Sequence, residues 1–309
     1  MPSPRPLPGQ LPRHFSVGAA AELGVTRARL RAGDLKTPFH GIRSSQAAEP
    51  SSLVEQCLEY APRLTPWQFF SHETALALWG ICTPEWPYVP RIHVSAHRPR
   101  REPRTGGVIG HRLQTRAPAF SAGRHGLPVE NPARAWRQCG RLWPLDDLVA
   151  AADALLSGRS PLANAQQLRS EISEMGDVRG GVLRAAIGLA RPGVRSPRET
   201  RLRLLLARNG LPTPEVNADI FDARGLFVAE IDLAFPRWMV AVEYDGRLHA
   251  EDERQFARDA DRWAAIRAAG WDHVRILSHH LREGGVPAVG LARDALVRAG
   301  WRPGLSERP

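Results

Sequence analysis

"EIDLAFPRWMVAVEYDG" (residues 230–246) holds two apolar runs, LAF and MVAV, separated by Pro236-Arg237, and reads as two short strands joined by a turn. It also carries Asp232, Glu243 and Asp245, and ionised carboxylates are costly in an apolar sheet unless positive charge lies beside them. Alternate residues of a strand share a face, so Glu230 and Asp232 fall together on the first strand. Ala241, Glu243 and Asp245 fall together on the second, with Val240, Val242 and Tyr244 opposite. If the strands pair, two acidic faces meet. Oxygen clusters of that kind suit Mg²⁺ or Mn²⁺, which can activate water and stabilise charge on a scissile phosphate. The plainer alternative is a solvent-facing sheet edge whose charges discourage aggregation. The flanking apolar runs weigh against a wholly exposed sheet and favour the metal site.

The surrounding pattern extends these strands into an α/β unit. "RPGVRSP" (191–197) marks a boundary, with two prolines, a glycine and no apolar periodicity. A helix follows over RETRLRLLLARNG (198–210), then strands at 215–221, 226–235 and 238–244. A long helix near 251–269, a strand at 273–277 and a helix around 287–299 complete it. Helix, three strands, helix, strand, helix gives a mixed sheet flanked by helices.

Upstream, the first ten residues hold four prolines and read as a flexible tail. In "HFSVGAAAELGVTRARLRAGDLKTPFHGI", Ser16 caps a helix that Gly24 ends, and Thr26 caps a second helix, TRARLRAG. That outline, followed by the extended KTPFHGIRS, describes a helix-turn-helix with a wing, whose second helix presents Arg27, Arg29 and Arg31 to a duplex. A small bundle with a solvated arginine face accounts for it equally well. Helices are expected around 50–60 and 71–80, the latter with Ser71 and Thr74 at its start. The stretch 90–116 alternates apolar and polar residues on both sides of Gly106-Gly107 and reads as a hairpin. Its loop gathers Arg98, Arg100, Arg101 and Arg104, as a basic arm for phosphates or as a solvated tip. Further helices, one capped by Asn131, fill 128–190. The resulting division is a tail with a winged-helix-like unit (1–45), a mixed α+β middle region (46–190) and a C-terminal α/β domain (191–309).

The chain has 309 residues, a net charge of +10 and a pI near 10.8, which favours a polyanionic partner over a membrane surface or a small cation. Of its 42 basic residues only Lys36 is lysine, a bias that explains arginine over lysine but not the positive excess. Cys57, Cys82 and Cys139 are widely spaced, which excludes a zinc ribbon and points to reduced thiols in the cytoplasm. The N-terminal segment has no apolar signal core, and no apolar run is long enough to span a bilayer.

"SPRETRLRLLL", "EIDLAFP", "VAVEYDGRLH" and "RDADRWAAIRAAGW" together resemble the restriction-endonuclease-like PD-(D/E)XK superfamily, in its branch related to very-short-patch-repair endonucleases. The resemblance covers about 194–281 and rests on four motifs in order. It implies a central mixed sheet flanked by helices, with divalent metal at its acidic end. The family's helix carboxylate falls on Glu199, its strand aspartate on Asp232 and its second strand carboxylate on Glu243. The motif's closing lysine is replaced by Asp245, and Lys36 lies in another part of the chain. His249, in "DGRLH", is the nearest group able to accept a proton near neutral pH, though a surface histidine at a turn is equally credible. Asp259 and Arg262, on the next helix, read as an orienting salt bridge, and Trp263 as core. The N-terminal part, with "SHETALALWG", "RIHVSA" and "GLPVENPARAW", more loosely resembles the DNA-binding part of abortive-infection antitoxins.

These readings converge on a DNA endonuclease dependent on Mg²⁺ or Mn²⁺. Asp232 and Glu243 hold the metal, Glu199 and Asp245 assist, and His249 carries protons. The competing expectation is a non-catalytic, antitoxin-like or regulatory DNA-binding protein on a degenerate nuclease fold, with a toxin or defence-system partner.

Overall fold

The computed structural model describes residues 4–45, 50, 52–85, 87–245 and 253–304, with backbone alone for 253–258 and 283. In chain order the elements are β1 (His14–Ser16), α1 (Val17–Glu22), β2 (Ile42–Ser44), α2 (Leu53–Tyr60), β3 (Phe69–Phe70), α3 (His72–Leu78), β4 (Ile92–His97) and β5 (Val108–Leu113). Then come β6 (Ser121–Ala122), β7 (Pro128–Val129), α4 (Pro132–Cys139), α5 (Leu145–Leu156), α6 (Ala165–Met175) and α7 (Val182–Leu189). The last third holds α8 (Pro197–Arg208), β8 (Glu215–Phe221), β9 (Phe227–Phe235), β10 (Val240–Asp245), α9 (Glu253–Ala268), β11 (Asp272–Leu277) and α10 (Val286–Arg298). The chain is mixed α/β and forms two compact units, Met1–Pro144 with Ala163–Arg184, and Leu145–Leu162 with Ala185–Pro309. Among the described residues no helix is long and apolar enough to cross a membrane.

The second unit is built on a four-stranded sheet in the order β11-β10-β9-β8. Its neighbours are antiparallel except β10 and β11, which run parallel as a crossover through α9 requires. Register explains the two faces. Val240 opposes Phe235 and Val242 opposes Leu233; these four join Leu202 and Leu206 of α8 and Ala292 and Leu296 of α10 in one core. Ala241 opposes Ala234, and both join Ile266 and Trp271 in a second core on the α9 side. Period-two alternation therefore continues the Ala234 and Ala241 rows into Asp232 and Glu243, on the α9 face. Helix α8 starts where the sequence suggests, with Ser196 accepting from Glu199 N at 3.2 Å and Pro197 in its first turn.

Helix α5 belongs to this unit through ion pairs to α8: Asp147 with Arg201 at 2.8 Å, Asp153 with Arg203 at 2.8 Å, and Asp146 with Arg208. Asp153 is 1% exposed and also accepts from Thr200 Oγ1 at 2.8 Å and Arg191 N at 2.6 Å. Burial still pushes its carboxyl above the ordinary range, against those partners.

The first unit carries a five-stranded sheet, β5-β4-β3-β7-β6, and a two-stranded β1–β2 ribbon. Three expectations change here. Strands β4 and β5 are parallel, with Ser95 opposite His111, so 90–116 is not a hairpin. The linker 98–107 doubles back across β5: a Cβ on Gly110 would lie 2.2 Å from Pro103 O, so only glycine admits the crossing. Second, the helix expected over TRARLRAG is one 3-10 turn, Arg29–Arg31, because so short a segment gains too few hydrogen bonds to nucleate an α-helix. Helix α1 does stop at Gly24, which adopts φ +78°. Third, the expected flexible tail is anchored in part: Leu7, with Leu11 beyond it, packs against Phe15, Ala20 and Leu30, while residues 4–6 are exposed.

Candidate functional site

At the end of the second unit's sheet lies a cleft of about 320 Å³ lined by Asp232, Glu243, Tyr244, Asp245, Asp259, Arg262, Trp263 and Arg275. Strand parity delivers most of these groups. Asp232 and Glu243 continue the α9-facing rows, and Asp245 follows two residues on. In β11, His273 pairs with Ala241 and Arg275 with Glu243, so both share that face. Helix α9 covers the face and contributes Asp259, Arg262 and Trp263.

Glu243 is 8% exposed and fully engaged. Arg262 donates Nη1 to Oε2 at 2.9 Å and Nη2 to Oε1 at 2.5 Å, while His273 Nε2 donates to Oε2 at 2.5 Å. Burial alone would raise its proton affinity, but the His273 and Arg262 hydrogen bonds outweigh it and hold the carboxyl below its ordinary range. Asp245 is paired with Arg275, whose Cζ lies 3.6 Å from the Trp263 ring centroid. The positive charge beside the strand carboxylates is thus supplied by arginines of α9 and β11.

Asp232 is less well served. Its Oδ2 accepts the Tyr244 backbone N–H at 2.9 Å. Burial, with the charges of Glu199 and Glu243, outweighs that hydrogen bond and the attraction of Arg262, and pushes the carboxyl up to about 7. Among the described residues, four carboxylates and two guanidinium groups line the cleft. Asp232 is therefore the cleft carboxyl whose proton affinity is raised, whereas that of Glu243 is lowered.

The structure brings Asp232, Glu243 and Asp245 to one cleft. Glu199 does not line it; its Oε2 accepts from Arg195 N at 3.0 Å and Asn217 Nδ2 at 3.3 Å, and it acts on Asp232 through charge. His249 lies outside the described residues. Arg262 clamps Glu243 and donates to Glu230 O at 2.7 Å, and the charge of Asp259 also acts on it. Trp263 is core on one side and cleft wall on the other. His273 and Arg275 escaped the sequence reading. Their alternation with Val274 and Ile276 was the available signal, since it places two basic side chains opposite the acidic row.

In the first unit, Arg98, Arg100, Arg101 and Arg104 are all exposed on the 98–107 linker, with Arg100 Cζ 4.8 Å from the Trp67 ring centroid. Arg27 and Arg31 are exposed as well. Arg29 is not free for phosphate, because it forms a two-pronged pair with Asp34 at 2.9 and 2.7 Å.

No family model matches the chain. Over 222 residues, 71% of this chain and 78% of the relatives, it is 29% identical to two proteins of Mycobacterium tuberculosis, "Uncharacterized protein MT2308" of strain CDC 1551 and "Uncharacterized protein Rv2248" of strain H37Rv. It is also similar, at 17% identity and a TM-score of 0.38, to the crystal structure of the RV2827C protein of Mycobacterium tuberculosis, over 70% of this chain and 86% of that one.

Proposed function

We propose that the second unit is a restriction-endonuclease-like domain that hydrolyses phosphodiester bonds of DNA with Mg²⁺ or Mn²⁺ at the Asp232–Glu243 cleft. The observation that carries this reading is the convergence of Asp232, Glu243 and Asp245 in one cleft, with the proton affinity of Asp232 raised by burial and by the neighbouring carboxylates Glu199 and Glu243. The donors fit the ion, because hard carboxylate oxygens are what Mg²⁺ and Mn²⁺ take. When bound, the cation supplies Lewis-acid stabilisation of the phosphate and a more acidic water. The chain's own residues do the rest. Asp232 and Glu243 would hold the cation through carboxylate oxygens, Asp232 in its ionised form with its proton released to water. Arg262, with a side chain 36% exposed, can leave Glu243 and turn toward a phosphate oxygen. Arg275 offers a second guanidinium from the cleft wall. Glu199 keeps negative charge near Asp232, and Asp245 stands where the motif lysine would be. Protons are assigned to His249.

DNA as substrate is supported by the net charge of +10 and by the exposed arginines of the 98–107 linker. One observation favours a second reading, a DNA-binding scaffold without catalysis that serves an antitoxin-like role beside a partner protein. Both oxygens of Glu243 are already satisfied by Arg262 and His273, and no lysine stands in the cleft.

Nicking of supercoiled plasmid separates the two. The nuclease reading expects conversion to open circle with Mg²⁺ or Mn²⁺, its loss on chelation, and its loss in Glu243→Ala with metal-free duplex affinity equal to or slightly above wild type. Glu243→Ala cutting as fast as wild type would overturn the site. Wild type binding duplex but cutting with no divalent ion would leave the scaffold reading standing.

A further inference from the structure

A second cluster of chemistry-bearing side chains lies in the first unit, away from the acidic cleft. Strands β4 and β5 run parallel with Ser95 opposite His111, so His93 and His111 share one face, a single pleat step apart. Ser71 N donates to His93 O at 3.0 Å, which sets the start of α3 over that face and brings in His72. The three rings crowd together, with centroid separations of 3.8 Å for His72–His111, 5.0 Å for His93–His111 and 5.2 Å for His72–His93. One nitrogen from each lies within 4.8 Å of the others, and His93 Nδ1 is 2.8 Å from His111 Nε2.

Several features fit a cation at the centre. His72 adopts φ 54°, a left-handed conformation that is strained for a residue other than glycine and collects at functional positions. The expected capping role of Ser71 is absent; its hydroxyl instead meets His72 Nδ1 at 2.9 Å and accepts from Ser95 Oγ at 2.6 Å. Glu73 sits behind His93, with Oε1 3.5 Å from His93 Nε2. Its carboxylate is fixed by Arg91 N at 2.8 Å, Trp143 Nε1 at 2.9 Å and the Tyr88 hydroxyl. A hydroxyl and a carboxylate on the outer nitrogens are what metal-bound imidazoles use to fix their tautomers. His72 and His93 are buried while His111 is half-buried, which leaves an approach from solvent.

We propose that His72, His93 and His111 form a three-histidine site for a divalent transition-metal ion of zinc type. His72 presents Nε2, His93 Nδ1 and His111 Nε2. Glu73 takes the outer N–H of His93, and Ser71 that of His72. Three imidazoles exclude Mg²⁺ and Ca²⁺ as preferred ions and leave a fourth position open on zinc. Zinc–nitrogen bonds of about 2.0–2.1 Å set nitrogens roughly 3.3 Å apart in a tetrahedron, so His93 Nδ1 and His111 Nε2, now 2.8 Å apart, would open slightly, while any wider spacing, all within 4.8 Å, would close. The inference is independent of the nuclease reading, since it uses other residues and another class of metal.

The test is metal titration of the full-length chain after chelator stripping. A chromogenic competitor reports Zn²⁺, and visible d–d absorption reports Co²⁺. Wild type should take up one Zn²⁺ equivalent and give the intense Co²⁺ bands of a four-coordinate site. His111→Ala, at the half-buried position, and His72→Asn, whose side chain tolerates positive φ, should each weaken binding by at least about 100-fold. Asp232→Asn should leave the Zn²⁺ equivalent intact. Failure of wild type to bind Zn²⁺ would overturn the proposal. So would binding that survives in both histidine variants, or a weak six-coordinate Co²⁺ spectrum.

Discussion

Asp232→Asn probes the cleft without needing any substrate. The Asp232 carboxyl is pushed from its ordinary 3.8 up to about 7, by burial first and by Glu199 and Glu243 second. At ~1.4 kcal/mol per pH unit, that gap amounts to roughly 4 kcal/mol at most. The folded carboxyl holds its proton more tightly than the unfolded one. Its stabilisation is therefore complete below pH 3.8, falls as pH rises, and is gone above about 7. Roughly half disappears below pH 5.5, leaving about 2 kcal/mol to be lost between pH 5.5 and 8.5. Asparagine stays neutral throughout and can still accept the Tyr244 N–H. The stability gap between variant and wild type should therefore widen by about 2 kcal/mol in the variant's favour over that range. Urea unfolding read by pulsed hydrogen exchange of residues 227–245 isolates this unit from the other. A gap constant to within about 0.5 kcal/mol across pH 5.5–8.5 would refute the claim that burial and the neighbouring carboxylates raise the proton affinity of Asp232.

Arg262→Ala should lower the same urea stability by about 1–2 kcal/mol, discounted for its partial exposure, because Glu243 loses both guanidinium bonds. Asp153→Ala, which strands the buried Arg203 guanidinium, should cost about 3–5 kcal/mol in the second unit's unfolding. Replacing Arg98, Arg100, Arg101 and Arg104 with alanine should reduce the slope of log affinity for duplex DNA against log salt by up to about 3.6, read by fluorescence anisotropy; an unchanged slope would move the phosphate contact elsewhere. Gly110→Ala should destabilise the first unit by about 1–3 kcal/mol, since its methyl group meets Pro103 O in the crossing linker.

Local patterns carried the second unit's elements. Alternation in 227–245 placed β9 and β10 on opposite sides of Pro236, and the Ser196-Pro197 start gave α8. The same alternation put Asp232 and Glu243 on one face. What local pattern cannot encode is the partner across space. Nothing in "LDDLVAAADALL" announces that Asp146, Asp147 and Asp153 pair with α8, so α5 reads as part of the region before it. Alternation on both sides of Gly106-Gly107 is the same for parallel and antiparallel strands; the linker's crossing over Gly110 decides, and that is a tertiary contact. The histidines at 72, 93 and 111 are too far apart in sequence to form a recognisable ligand spacing. They meet only because β4 and β5 are parallel and α3 starts above them.

The central claim is that Asp232 and Glu243 hold a divalent cation, and anomalous diffraction from Mn²⁺-soaked crystals measures this most directly. A manganese peak is expected, bonded to carboxylate oxygens of both residues, with Glu243 released from at least one of its two bonds to Arg262. Ordered density for the cleft with no such peak, and Arg262 still two-pronged on Glu243 at saturating Mn²⁺, would contradict it.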